Sequence, residues 1–142
     1  MYNDALAADY LKRAASRIRA VETLAEEESW ADVVRESQEI VEITLKALLR
    51  MHRIEVPRIH DVSPIILDNR DVFSVKIQAN VEKLTRISKS LRRDRELAFC
   101  GSEDLTATTF YSKEDADEAL ESARWVYQQV AQASNPGSSA AR

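Results

Sequence analysis

The chain has 142 residues, of which 44% are apolar, and its formal net charge is −4. This length fits one domain that buries a core without disulfides or metals, and the acidic balance excludes a uniformly basic nucleic-acid surface. Two glycines and three prolines are too few for the turns of an all-β fold, whereas the abundant Ala, Leu, Glu, Arg and Lys favour helices. The composition therefore predicts an all-α protein.

The residue counts also argue against several kinds of site. The single cysteine, Cys100, excludes an internal disulfide framework, and with two histidines it gives no metal-ligand spacing, so no metal is predicted. Two glycines exclude glycine-rich phosphate loops, and no cofactor is predicted. No segment approaches the ~20 apolar residues of a membrane span, and no signal peptide is evident. We expect a cytoplasmic protein with no membrane contact.

The first half of the chain predicts a helical hairpin. Apolar residues at helical spacing predict helix 1 over about 3–26 and helix 2 over about 30–51. Ser29, followed three residues later by Asp32, predicts a capping box that opens helix 2. The short connection implies that the two helices are antiparallel neighbours.

The middle of the chain predicts an ordered loop and two further helices. The loop covers 52–60, helix 3 is short and covers about 62–69, and helix 4 covers about 71–99. Asp71 is expected to open helix 4, and Gly101 is placed where a left-handed residue would end it.

The last helix completes an up-and-down antiparallel helical bundle of four long helices and one short helix. Ser112 and Asp115 predict a capping box at its start, and its apolar positions end near Gln132. Residues 1–132 are therefore predicted to form a single domain. Residues 133–142 contain little that could be buried, and we expect a disordered tail.

Arg95 lies within the apolar stripe of helix 4, at the three- and four-residue spacing of the buried positions. A buried guanidinium must meet a carboxylate, a phosphate or solvent, because an unpaired buried charge is costly. One interpretation is a structural salt bridge to the acidic turn between helices 1 and 2, which we favour, and the other is phosphate binding. The acidic turn comprises Glu26, Glu27, Glu28 and Asp32.

The second half of helix 4 is the most basic segment of the chain. It contains Lys83, Arg86, Lys89, Arg92, Arg93 and Arg95. These cations could follow a phosphate backbone, or they could simply complement the dipole at the end of the helix, which we favour. No aromatic residue interleaves them before Phe99, so no stacking platform for single-stranded RNA is evident.

His60 lies in the loop before helix 3, close in sequence to Arg53 and Arg58. Its imidazole could exchange protons near neutral pH, or it could hold the loop through hydrogen bonds, which we favour. His52 is expected to be exposed. The candidate nucleotide- or RNA-binding residues are thus Arg92, Arg93, Arg95, Arg53, Arg58 and His60, of which Arg95 and His60 are also the candidate catalytic residues.

Several stretches occur in an order that resembles a known family. They are Lys46-Ala47-Leu48-Leu49 leading to His60-Asp61, then Arg95-Glu96-Leu97-Ala98-Phe99-Cys100-Gly101, then Tyr111-Ser112-Lys113-Glu114-Asp115-Ala116. Over residues 3–131 the chain resembles small prokaryotic proteins of the HEPN family. The resemblance implies a helical bundle linked to nucleotides and RNA. Some members are toxin ribonucleases, and others are non-catalytic partners of nucleotidyltransferases.

Active HEPN ribonucleases share an Arg followed, after four to six residues, by a His in the latter part of the bundle. No histidine follows Arg95, because His52 and His60 are the only two. Arg53 and His60 have that spacing but precede helix 4. Metal-independent RNA cleavage needs a general base and a general acid, so the missing histidine predicts a protein without catalysis. Cys100 replaces an aromatic residue of relatives and is expected to be a packed thiol.

The resemblance implies a homodimer that associates with nucleotide or RNA and is the partner of a separately encoded minimal nucleotidyltransferase in a toxin–antitoxin-like pair. One alternative is a divergent ribonuclease in which Arg95 binds phosphate and His60 comes from the other subunit. Within one protomer, helix geometry would separate the two bundle ends by about 30 Å. Another alternative is a purely structural dimerisation module.

Overall fold

The computed structural model describes residues 2–100 and 110–134, with side chains for 5–91 and 110–134. This part of the chain forms five α-helices and one 3₁₀ turn and contains no strand. The helices are α1 (Tyr2–Glu26), α2 (Trp30–Met51), α3 (Ser63–Asp68), α4 (Val75–Cys100) and α5 (Lys113–Ala133), and the 3₁₀ turn is Arg70–Val72. The prediction of an all-α bundle with four long helices and one short helix is confirmed.

Helix α2 is the centre of the bundle. It packs against α1, α4 and α5, and its buried side chains are spread over more than one of its faces. A helix needs apolar residues on several faces only when neighbours surround it. Ile40, Leu45 and Leu48 are completely buried there, and they join residues of the other long helices in one hydrophobic core.

The turn between α1 and α2 differs from the prediction in its hydrogen bonds. Glu28 has a positive φ of 58°, its N–H donates to the carbonyl of Ala25, and the Ser29 N–H donates to the carbonyl of Leu24. This is a Schellman motif. The predicted capping box at Ser29 is wrong because the motif has already engaged the Ser29 N–H. The Ser29 hydroxyl donates instead to Asp32 Oδ2 at 2.6 Å.

Helix α4 begins later than predicted, at Val75 rather than Asp71. Phe73 is extended and 3% exposed, so burial of its ring separates the 3₁₀ turn from the helix. The Ser74 hydroxyl accepts the N–H of Ile77 at 3.3 Å and caps the new start. The predicted stop at Gly101 lies outside the described residues.

Helix α5 begins as predicted. The Ser112 hydroxyl accepts the Asp115 N–H at 3.2 Å, and Asp115 Oδ2 accepts the Ser112 N–H at 2.9 Å, which completes a reciprocal capping box. The helix continues to Ala133, and Ser134 is its C-cap. Most of the segment predicted to be a disordered tail, residues 135–142, is outside the described part of the chain.

Candidate functional site

His60 is held against the central helix by a buried carboxylate. Glu42 Oε1 lies 3.0 Å from His60 Nδ1, and Glu42 Oε2 accepts from Lys46 Nζ at 3.0 Å. The side chain of Glu42 is 12% exposed, whereas that of His60 is 53% exposed. A hydrogen bond from Nδ1–H to this carboxylate leaves Nε2 for another partner. The arrangement orients an accessible imidazole nitrogen.

The neighbouring residue, Asp61, ties the loop to α3 and α4. Asp61 Oδ1 accepts the Ser63 N–H at 3.0 Å, the Ser63 hydroxyl, and the Ser88 hydroxyl at 2.8 Å. Partial burial opposes ionisation of Asp61. The hydrogen bonds from Ser63 and Ser88, with the charge of Lys89, outweigh that effect and lower the pKa of this carboxyl from its ordinary value. Asp61 is therefore an ionised clamp.

The clamp places the His60–Asp61 pair beside the middle of α4. Glu42 lies about two and a half turns before the end of α2, so the loop after α2 folds back along the bundle. Arg92 and Arg95 follow Ser88 by about one and two turns, which is an axial distance of about 10 Å to Arg95. The two bundle ends are still about 30 Å apart by helix length, but the His60–Asp61 pair does not lie at an end, because its contacts are with Glu42 and Ser88 in the middle of the bundle.

A family model described as HEPN domain matches residues 7–133 of the chain. This chain belongs to the HEPN domain family. Membership is consistent with a function related to nucleotides or RNA, and HEPN domains commonly form dimers. No curated protein and no solved structure gives a significant match.

In this HEPN domain the predicted arginines are only partly placed. The side chains of Arg92, Arg93 and Arg95 lie outside the described residues, so the salt bridge expected for Arg95 stays a prediction. Arg53 and Arg58 are exposed in the loop, and within the described residues neither makes a hydrogen bond or ion pair with His60. Arg53 has a φ of 59° and ends α2 through a second Schellman motif, in which the Ile54 N–H donates to the Leu49 carbonyl.

His52 was expected to be exposed, and this was wrong. Its ring is half-buried and meets the ring of Phe73 edge-on, with 5.0 Å between the centroids. Burial lowers the pKa of His52 from its ordinary value. The imidazole of His52 lies in the bundle because it packs against the ring of Phe73. No sequence pattern around His52 predicts this contact.

Sequence reasoning missed two residues that position the loop of this HEPN domain, Glu42 and Ser88. Glu42 precedes Lys46 by four residues, which is the spacing of an ordinary helical ion pair, yet it lies among apolar positions of α2 and is mostly buried. That placement is a signal, since a buried carboxylate needs partners from outside its own helix. Ser88 carries no comparable signal, because a serine on an apolar stripe is common in helices.

Within the residues that the structure describes, no three His, Cys, Asp or Glu side chains converge as metal ligands. None of the described helices is long and apolar enough to cross a bilayer.

Proposed function

We propose that this HEPN protein has no catalytic activity of its own, associates with nucleotide or RNA, and acts as a homodimeric partner of a separately encoded minimal nucleotidyltransferase in a toxin–antitoxin-like pair. One observation carries the non-catalytic part. His60 precedes α4 in the sequence and belongs to the Glu42–Lys46 network, and no histidine follows α4 in the sequence. RNA cleavage without a metal needs a positioned acid and base, and no histidine of this chain follows Arg95, where active HEPN ribonucleases carry theirs.

Co-purification tests the partner role. The protein is co-expressed with a minimal nucleotidyltransferase from the same genome, and the mass of the purified species is measured by light scattering. We expect a stable complex of defined stoichiometry, and a homodimer when the HEPN protein is expressed alone. A folded homodimer that binds neither the nucleotidyltransferase nor any nucleotide would contradict the proposal and leave a structural dimerisation module.

A divergent ribonuclease is the second candidate, and one observation favours it. Glu42 orients His60 so that Nε2 is accessible, and Asp61 holds the pair beside the helix that carries Arg92 and Arg95. In that arrangement His60 would act as the general base, and an arginine of α4 would bind the scissile phosphate. The geometry allows both groups to come from one protomer, and cleavage that depends on both residues would support this candidate.

A further inference from the structure

A groove runs between the middle of α4 and the beginning of α5. It has a volume of about 380 Å³, and buried aliphatic side chains form its floor. These are Val34, Ile87, Leu91 and Ala119. Arg86 and Ser90 line the wall on α4, and Asp115 and Glu118 line the wall on α5. The volume lies within the roughly 300–1,000 Å³ of pockets that hold small molecules.

Two cations beside this groove make no ion pair with any described residue. Arg86 and Ser90 line both the groove and a more open depression of about 540 Å³ on the outer surface of α4. Lys89 lines that depression with Thr85 and Glu82, whose carboxylate lies 3.9 Å from Arg70. Earlier cations of α4 are engaged, since Lys83 lies 4.1 Å from the Trp125 ring centroid and Lys76 donates to Gln132. Within the part of α4 whose side chains the structure describes, Arg86 and Lys89 are therefore the cations available to an anion.

The opposite wall is acidic. Asp115 Oδ2 already accepts from Ser112, whereas the exposed carboxylate of Glu118 has no ion-pair partner among the described residues. Carboxylates accept hydrogen bonds from sugar hydroxyls, as at the ribose sites of dinucleotide-binding folds. They also repel a long phosphate chain. A ligand with one phosphate, a hydroxyl-bearing sugar and a flat apolar ring system matches the cationic wall, the acidic wall and the aliphatic floor together.

We propose that the groove between α4 and α5 binds a nucleoside monophosphate. Arg86 holds the phosphate, and Lys89, three residues on and outside the groove lining, adds positive charge beside it. Glu118 accepts from the ribose, and the base lies on the aliphatic floor. This inference rests on the nucleotide association proposed above and gives it a site. Arg86 and Ser88 are two residues apart in α4, so the groove and the His60–Asp61 clamp lie on different sides of the helix. Lys89 lies between them, since its charge also acts on Asp61.

Calorimetric titration of AMP, with inorganic phosphate as the comparison ligand, tests the proposal on the full chain. We expect Arg86→Ala to weaken AMP binding by about tenfold or more, because it removes a charge-assisted contact. Glu118→Gln should weaken AMP binding without changing phosphate binding. Lys113→Ala is the matched control, since it removes an equal charge from α5 outside the groove, and it should leave AMP affinity within about twofold.

Several results would overturn the proposal. Equal losses of AMP affinity in Arg86→Ala and Lys113→Ala would show that the effect is general electrostatics. Phosphate binding as tight as AMP binding would show that the base makes no contribution to affinity. AMP binding that depends on Arg53, Arg58 or His60 but not on Arg86 would reject this groove and leave the proposed function intact. No nucleotide binding by folded protein would reject both the groove and the nucleotide association, while co-purification would still decide the partner role. A short 5′-phosphorylated RNA that binds through Arg86 when AMP does not would overturn the ligand assigned here.

Discussion

The carboxylate of Asp61 accepts three hydrogen bonds from two helices, and α3 and the loop before it depend on that acceptor. We expect Asp61→Ala to lower the free energy of unfolding by about 2–3 kcal/mol, because hydrogen bonds to a charged group contribute strongly. The buried Ser88 hydroxyl would lose its acceptor, and the Ser63 hydroxyl would keep only the Thr85 carbonyl at 3.3 Å. Urea unfolding measures the change. Asp68→Ala, which removes an exposed carboxylate at the end of α3, is the control, and equal losses in the two variants would contradict the clamp.

His52 predicts a dependence of stability on mildly acidic pH. Its pKa is lowered in the folded state, so the unfolded chain binds the proton more readily. The contribution of neutral His52 is fully present above the unfolded pKa of about 6.5 and is lost as the pH falls through the folded value. Thermal unfolding between pH 7.5 and 5 should show falling stability, and His52→Phe should reduce that fall. The idea fails if His60→Ala removes the fall and His52→Phe does not.

Gln38 is completely buried in α2, and neither atom of its amide has a hydrogen-bond partner among the described residues. We expect Gln38→Met to raise the free energy of unfolding by about 1 kcal/mol, because an unpaired buried amide is costly and Met has a similar volume. Gln78→Met is the contrasting variant. Gln78 donates to the Phe73 carbonyl at 2.8 Å, so loss of that hydrogen bond should lower the free energy of unfolding of the protein. Destabilisation of equal size in both would show that Gln38 has a partner.

At the scale of single helices, the two predicted capping boxes make a direct comparison. Ser112 caps α5 through its hydroxyl, whereas Ser29 makes no capping bond to the backbone of α2. Ser112→Ala should therefore lower the free energy of unfolding by about 1 kcal/mol, and Ser29→Ala should lower it less. Urea unfolding of both variants is the measurement, and the reverse order would contradict the Schellman description of the first turn.

These helix starts also show how far local sequence determines an element. The apolar spacing that predicted each long helix is a property of the helix itself, so α1, α2 and α5 have nearly the predicted bounds. The start of α4 could not be predicted from Asp71, because the burial of Phe73 against other elements moves it to Val75. The capping box predicted at Ser29 was wrong for a similar reason. The sequence allows the left-handed backbone conformation of Glu28 but does not predict it.

At the scale of the whole molecule, the fold was predictable and the site was not. Periodicity, together with the family resemblance, gives the helices and the bundle. The path of the loop after α2 depends on contacts of His60 with Glu42 and of Asp61 with Ser88, which join residues far apart in the sequence. Because the sequence does not reveal those contacts, the loop was predicted to lie at one end of the bundle. The groove beside Arg86 was not predicted either, because it depends on the distance between α4 and α5, which the sequence does not give.

RNA cleavage is the measurement that tests the central claim, the absence of catalysis, most directly. The purified protein is incubated with total RNA and structured RNA, with and without EDTA, beside Arg95→Ala and His60→Ala. We predict no cleavage above background in any of the three, because no histidine follows α4 and His60 is held by Glu42. Cleavage that survives EDTA and disappears in both variants would contradict this account and establish a HEPN ribonuclease that uses Arg95 and His60.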